Sequence, residues 1–298
     1  MRSKFYPPPF YWPNRWRNRL FRGFLFLISL TSVSVVITLL VTLLTESSLF
    51  FVHASVIDFI TGNTWTPLFE NARYGIWPLL AASFSITVLA VGLAFPLALA
   101  LAGFFSDYVA PHTLKWLKPI FEVLAAIPTI ILGFIGVFFL TPFLQRWLPL
   151  EAFNKLSAAL MMAVLLIPYL TTLIEEALRK APRDWRESSM ALGANRLETL
   201  WYILIPGQKS AIVAALLLAT ARALGETMIV TIVAGAQAKL SVNPLEGGQT
   251  LTAYIASVSL GDSPHGSMAY QSMYAVGLVL LLLSLSLNIV GLYLKNKN

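Results

Sequence analysis

The sequence contains no cysteine, so disulfide scaffolds, thiol nucleophiles and cysteine metal sites are all excluded. Its three histidines, His53, His112 and His265, fall in stretches that read as loops and lie far apart. That leaves no cluster for a metal or for a serine–histidine pair. Charge is scarce too. Asp, Glu, Lys and Arg make up 12% of the 298 residues, against roughly 25% in an average soluble domain. No G-x-x-x-x-G-K-[ST] loop occurs, because Gly207-Gln208-Lys209-Ser210 lacks the spacing, so this chain does not itself hydrolyse nucleotide. H-E-x-x-H and G-x-S-x-G are also missing. These absences exclude an ordinary cytosolic enzyme and point away from catalysis.

What is present in excess is apolar sequence: 57% of residues, with a mean hydropathy of +0.72. A helix needs about 20 apolar residues to cross roughly 30 Å of hydrocarbon. Residues 24–44, 76–105, 123–145, 156–174 and 268–294 each meet that length, and 210–238 does so apart from Arg222 and Glu226. None alternates in character as barrel strands do. The expectation is an all-α integral membrane protein with six transmembrane helices. Residues 24–44 follow a basic tail, but the run is too long for a signal peptide's apolar core and no A-x-A site follows, so it reads as an uncleaved first span.

Basic residues outnumber acidic ones by 21 to 14, an excess that would suit nucleic acid, but their distribution argues otherwise. Sixteen of the 21 lie before the first span, between spans two and three, between spans four and five, or after the last span. Arg73, Arg146, Lys155 and Lys239 occupy the alternate loops. This asymmetry follows the positive-inside rule with both termini cytoplasmic, and no nucleic-acid partner is expected. The organisation reads as a cytoplasmic tail (1–22), a first helix with an outer loop (23–75), a main transmembrane domain (76–294) and a short cytoplasmic tail (295–298). Aromatic and proline residues from Tyr6 to Pro13 suit an anchor at the bilayer surface.

Residues 175–209 form the most elaborate cytoplasmic loop. Asp184 with Glu187, and Asn195 with Glu198, have capping-box spacing, and Gly193 between them is a natural helix stop. Two short capped helices joined at a glycine turn are therefore expected, forming a knob for a soluble partner. In the fifth span, Arg222 and Glu226 stand four residues apart, on one helix face, where they could pair. Ionisable groups at such depth mark transport paths by default. Arg222 is the candidate contact for an anion and Glu226 its tuning or gating partner, with Thr220 and Thr227 as possible hydroxyl donors. A structural ion pair is the alternative.

Glu187-Ser188-Ser189, then Gly193, then Ile203-x-Ile205-Pro206 resembles the E-A-A/G/I-x-L-P signature of ABC-importer permeases, with Ser188, Ser189 and Ile205 as departures from it. The stretch from Arg222 to Gly235, RALGETMIVTIVAG, together with EVLAAIP at 122–128, GGQTLTAY at 247–254 and GDSPHGSMAYQSMYAVG at 261–277, is similar to the permeases of the phosphate-specific transport (Pst) family. The likeness is greatest to the C-type subunit, PstC. The resemblance implies a type I ABC-importer permease in the bacterial inner membrane. It further implies that Glu187, Ser188, Ser189, Ala191, Gly193 and Ala194 form the coupling helix that docks on a separate ATPase. Expected partners are a homologous PstA-type permease, a PstB-type ATPase dimer that binds ATP and Mg, and an external PstS-type phosphate-binding protein. This chain itself is expected to bind no cofactor. A permease for molybdate, tungstate or sulfate, a membrane enzyme using Glu226, and a phosphate-sensing component remain open alternatives.

Overall fold

The computed structural model describes residues 15–296; the anchor expected at residues 6–13 lies outside the described residues. The described chain is helical, with one isolated antiparallel bridge, Trp65 to Tyr74. By its contacts it divides after Thr45. Helix α1 (Arg15–His53) is uncharged and largely apolar on every side from Phe24 to Leu44, and most of its large side chains there are exposed. Its hydroxyls bond back to their own helix, as in Ser29 to the Leu25 carbonyl and Thr31 to the Leu27 carbonyl. An uncharged helical stretch whose hydroxyls bond back to their own carbonyls and whose surface is largely apolar is suited to lipid.

The second unit begins with the last turns of α1. Phe50 there packs edge-on against Phe59 of α2 (Val56–Thr61) and against Tyr74. Helix α3 (Trp77–Asp107) follows, with Pro78 in its first turn, where a missing N–H does no harm. Ala82, Ile86, Ala90, Ala94, Ala98 and Ala102 recur every fourth residue along α3 and are fully buried. Small side chains on one face let a neighbouring helix approach closely.

After α4 (Pro111–Ala125) the chain breaks at residues 126–128. Pro128 then opens α5 (Thr129–Ile135), which runs through a π-helical turn, Gly136–Leu140, into α6 (Thr141–Leu144). The third span, expected at 123–145, is thus a broken element whose apolar part begins only at Thr129. Pro128 accounts for the break, because the residue before a proline is pushed out of helical geometry. His112 also falls inside α4 rather than in a loop, and His53 closes α1.

Helix α7 (Lys155–Arg179) starts at Asn154, whose side chain accepts from the Ser157 N–H at 2.7 Å. Ala158, Met162, Leu166, Leu170, Ile174 and Leu178 form its buried row. The two helices run parallel. At one end Arg179 donates to the Phe105 carbonyl (3.0 Å); at the other, a Cβ on Gly248 would lie 3.1 Å from Ala82 Cβ and 3.3 Å from Lys155 Cδ. Parallel neighbours require a return crossing between them, and only 108–154 is available to make it.

Beyond α7 come α8 (Arg183–Ala191), α9 (Arg196–Glu198), a π-helical turn (Thr199–Leu204) and α10 (Ile205–Gly207). The chain then bends by 74° at Gln208 into α11 (Lys209–Leu224). A break at 225–227 separates α11 from α12 (Met228–Val233). Ile212 of α11 joins Ala102, Ile174 and Leu178 at the α8 end. The Val233 carbonyl of α12 instead accepts from the Asn154 N–H at the opposite end. Residues 239–267, expected as an outer loop, contain α13 (Leu251–Ser257) and a π-helical turn ending at Asp262. Leu251, Ala253 and Tyr254 are buried there, a segment too short for a span count to detect. Gly261 and Gly266 take φ of 111° and 78°, as their turn role requires. Helix α14 (Met268–Asn296) returns to the α8 end, where a Cβ on Gly291 would meet the Ala214 carbonyl at 3.5 Å.

By length and composition four helices suffice to cross a membrane, α1, α3, α7 and α14; a fifth is added if the bent pair 196–224 counts as one.

Candidate functional site: a helix break and a docking knob

Two places collect the residues singled out above. The first is the break between α11 and α12. Helix α11 stops at Leu224, so Arg222 and Glu226 do not share a continuous helix face, and the expected i, i+4 geometry does not apply. Among the described residues no carboxylate lies within ion-pair distance of Arg222. Its guanidinium is exposed and lies 4.9 Å from the centre of the Tyr169 ring on α7. Tyr169 carried no sequence signal, because an aromatic in a span reads as packing.

Glu226 is half-buried, and its Oε1 accepts from the Ile229 N–H (3.4 Å), one of the free donors in the first turn of α12. The Glu226 carbonyl accepts from the Thr252 hydroxyl at 2.7 Å. Ser83 of α3 accepts from the Leu251 N–H (3.0 Å), and Thr250 caps α13 by accepting from the Ala253 N–H (3.1 Å). The Glu226 carbonyl at the break is therefore met by a hydroxyl from α13, while Ser83 of α3 satisfies the first N–H of α13. Thr220 donates to the Leu216 carbonyl (2.8 Å), inside its own helix, and Thr227 donates weakly to the Gly225 carbonyl (3.4 Å). Ser83, Thr87, Glu226, Thr250 and Thr252 line a cavity of about 10 Å³. A single water needs about 10–15 Å³, so no oxyanion fits there. Close packing holds the break in place: a Cβ on Gly133 would lie 2.9 Å from Ile232, and one on Gly136 2.7 Å from Val233.

The second place is the knob. Its second half opens as expected, with a reciprocal capping box in which the Glu198 N–H donates to Asn195 Oδ1 (2.9 Å) and the Asn195 N–H to Glu198 Oε2 (2.8 Å). The first half does not. Helix α8 starts at Arg183 after Pro182, without a side-chain cap, so Asp184 lies within the first turn and pairs with no Glu187 box. The proline ring already sets the extended geometry that a capping residue would otherwise supply. Gly193 takes φ 92° between the halves. Ser189 is buried and hydrogen-bonds Thr199 across the turn (3.0 Å), which places it in the knob's interior. Glu187, Ser188, Ala191 and Gly193 are exposed, and Ala194 is half-buried. Leu192 is 90% exposed, and with Tyr202 and Ile203 it borders an apolar groove of about 530 Å³. Asn195→Ala removes one cap, worth about 1 kcal/mol, and is expected to speed hydrogen exchange at the Glu198 amide about fivefold. Exchange measured by mass spectrometry checks this.

One ionic cluster escaped sequence reading. Glu175, 1% exposed, lies between Lys118 (3.0 Å) and Arg179, tying α4 to α7. Its place beside the charges of 176–186 made it read as loop. Away from both sites, Lys239 and Glu246 pair at 2.8 Å, and hydrogen bonds from Lys239, Ser241 and Asn243 hold the Glu246 carboxyl down to about 2.

A family model described as "Binding-protein-dependent transport system inner membrane component" matches residues 94–297. A Bacillus subtilis protein described as "Probable ABC transporter permease protein YqgH" is 31% identical over 267 residues, covering 89% of this chain and 86% of its own. A Methanocaldococcus jannaschii protein, "Probable phosphate transport system permease protein PstC", is 33% identical over 257 residues, covering 80% and 81%. Among solved structures, a chain of the MetNI methionine ABC transporter in an inward-facing conformation superimposes with a TM-score of 0.55 over 75% of this chain and 94% of its own. At 18% identity that likeness concerns the fold alone. With the family model covering well over half of its length, the chain belongs to the binding-protein-dependent transport inner membrane components, as an ABC importer permease of the PstC type.

Proposed function

We propose that this chain moves inorganic phosphate inward across the bacterial plasma membrane by alternating access, driven by ATP hydrolysed on a separate subunit. The observation that carries this reading is Arg222: an exposed guanidinium beside a helix break, held over a tyrosine ring and bound to no carboxylate among the described residues. A cation in a span without an acidic partner is left for an anion. Phosphate is favoured over molybdate, tungstate or sulfate by the names of the PstC relatives. The cavity beside Glu226 is too small for a substrate and its carboxylate is engaged at α12, which favours transport over enzymology.

The reading takes six spans, the third being the return crossing α4–α6 and the fifth α11 with α12. Both termini and the knob then lie on the cytoplasmic side, where the basic residues concentrate. A PstB-type ATPase dimer, carrying ATP and Mg, docks on the knob through Glu187, Ser188, Ala191, Leu192 and Gly193, with Ser189 and Ala194 supporting them from within. A PstA-type permease completes the path, because the cavity beside Glu226 is too small for an oxyanion. A PstS-type protein delivers phosphate from outside.

Uptake of radiolabelled phosphate at low external concentration, in cells lacking the gene and in cells with it restored, tests the proposal. Loss and rescue confined to phosphate are expected. A defect confined to sulfate or molybdate overturns the substrate while keeping the permease.

A further inference from the structure

The C-terminal end of α3 is gripped by three arginines, and none of them belongs to the exposed docking face. The last carbonyls of a helix lack partners within it and carry partial negative charge, so cations bind there well. Arg179 of α7 donates to the Phe105 carbonyl (3.0 Å) and Arg196 of α9 to the Asp107 carbonyl (3.2 Å). Arg186 of α8 does more. Its Nε pairs with Asp107 Oδ1 at 2.8 Å, and its Nη2 donates to Ser106 Oγ (3.1 Å) and to the Leu178 carbonyl (2.9 Å). One planar guanidinium thus joins α8 to the ends of both α3 and α7. The Arg186 and Asp107 side chains are only 21% and 10% exposed, so this pair is far less screened than a surface ion pair. The same region is tightly packed: a Cβ on Gly103 of α3 would lie 2.6 Å from Leu200, in the turn after α9.

We infer that Arg186 is a positioning residue that carries the movement of the knob into α3, so that ATPase closure at α8 drives rearrangement of the α3–α7 pair. The inference rests on the importer reading above and adds to it the route by which docking becomes motion. The Arg186 fork ties α8 to Asp107 and Ser106 at the end of α3 and to the last turn of α7. With the fork removed, the knob still presents Glu187, Ser188 and Leu192, but α3 no longer follows it.

The test uses the full complex, both permeases with the ATPase dimer and the binding protein, in proteoliposomes. The readout is phosphate transported per ATP hydrolysed. Arg186→Gln is expected to retain the ATPase at wild-type stoichiometry and to keep hydrolysing ATP, while the transport ratio falls about tenfold or more. Asp107→Asn is expected to lower the ratio in the same direction. The exchange Arg186→Asp with Asp107→Arg should recover part of it. Arg186→Lys, which keeps the charge but not the fork, should fall between wild type and Arg186→Gln, and it covers the case in which the glutamine variant fails to fold. Transport and hydrolysis declining in parallel, or a ratio unchanged in Arg186→Gln, overturns the inference while the importer reading stands. A wild-type complex that hydrolyses ATP and moves no phosphate overturns the importer reading, and the inference with it.

Discussion

Replacing Arg222 with alanine is expected to lower phosphate uptake about 10- to 100-fold, the range set by losing one hydrogen bond to a charged group. The amount of protein in the membrane should stay unchanged. Removing one member of a buried ion pair strands its partner and destabilises by about 3–5 kcal/mol. Arg222 has no such partner among the described residues, only the Tyr169 ring at 4.9 Å. An exposed cation–π contact is worth roughly 0.5–1 kcal/mol, too little to threaten folding. Folding and transport should therefore separate at this residue. Arg222→Lys should retain part of the uptake, since it keeps the charge but presents no planar fork. Initial-rate uptake alongside quantitative immunoblotting of membranes checks the pair; full uptake in Arg222→Ala contradicts the assigned role.

The second large effect concerns Gly193. Its φ of 92° is one that residues with a Cβ rarely adopt, while no atom lies within 4 Å of where that Cβ would be. The penalty is therefore one of backbone conformation, not of space. Gly193→Val, being β-branched, should shift the turn, break the register of the Ser189–Thr199 hydrogen bond and displace Leu192. ATPase co-purification and ATP-driven uptake should both fall below a tenth of wild type, with insertion unaffected, if the shift removes about 1.4 kcal/mol or more of docking energy. Gly193→Asn, which tolerates the left-handed region, should retain most of both. Equal ATPase recovery from the valine and asparagine variants contradicts the docking role.

The long uncharged runs that became α1, α3, α7 and α14 were legible because span length depends on local composition alone. The Asn195–Glu198 box was legible for the same reason: its donors and acceptors sit within four residues. The break at 225–227 was not. Its Glu226 carbonyl is met by Thr252, which lies far away in sequence, so a hydropathy count sees an unbroken span with two charges. That one error also misplaced Arg222 and Glu226 on a shared helix face. Helix α13 was hidden by being too short to cross the membrane. Asp184 was misread because Pro182, two residues earlier, already provides the turn into α8. The parallel run of α3 and α7, and the grip of Arg186 on Asp107, belong to tertiary structure and leave no periodic trace.

Transport in a defined system tests the central claim most directly. The purified complex, reconstituted with ATP and Mg in the compartment facing the knob, is supplied with the phosphate-loaded binding protein on the other side. Accumulation of labelled phosphate in the ATP compartment that stops when ATP is withheld, and that sulfate and molybdate do not replace, is the predicted result. ATP hydrolysis with no phosphate accumulation, or accumulation of another oxyanion in its place, would contradict it.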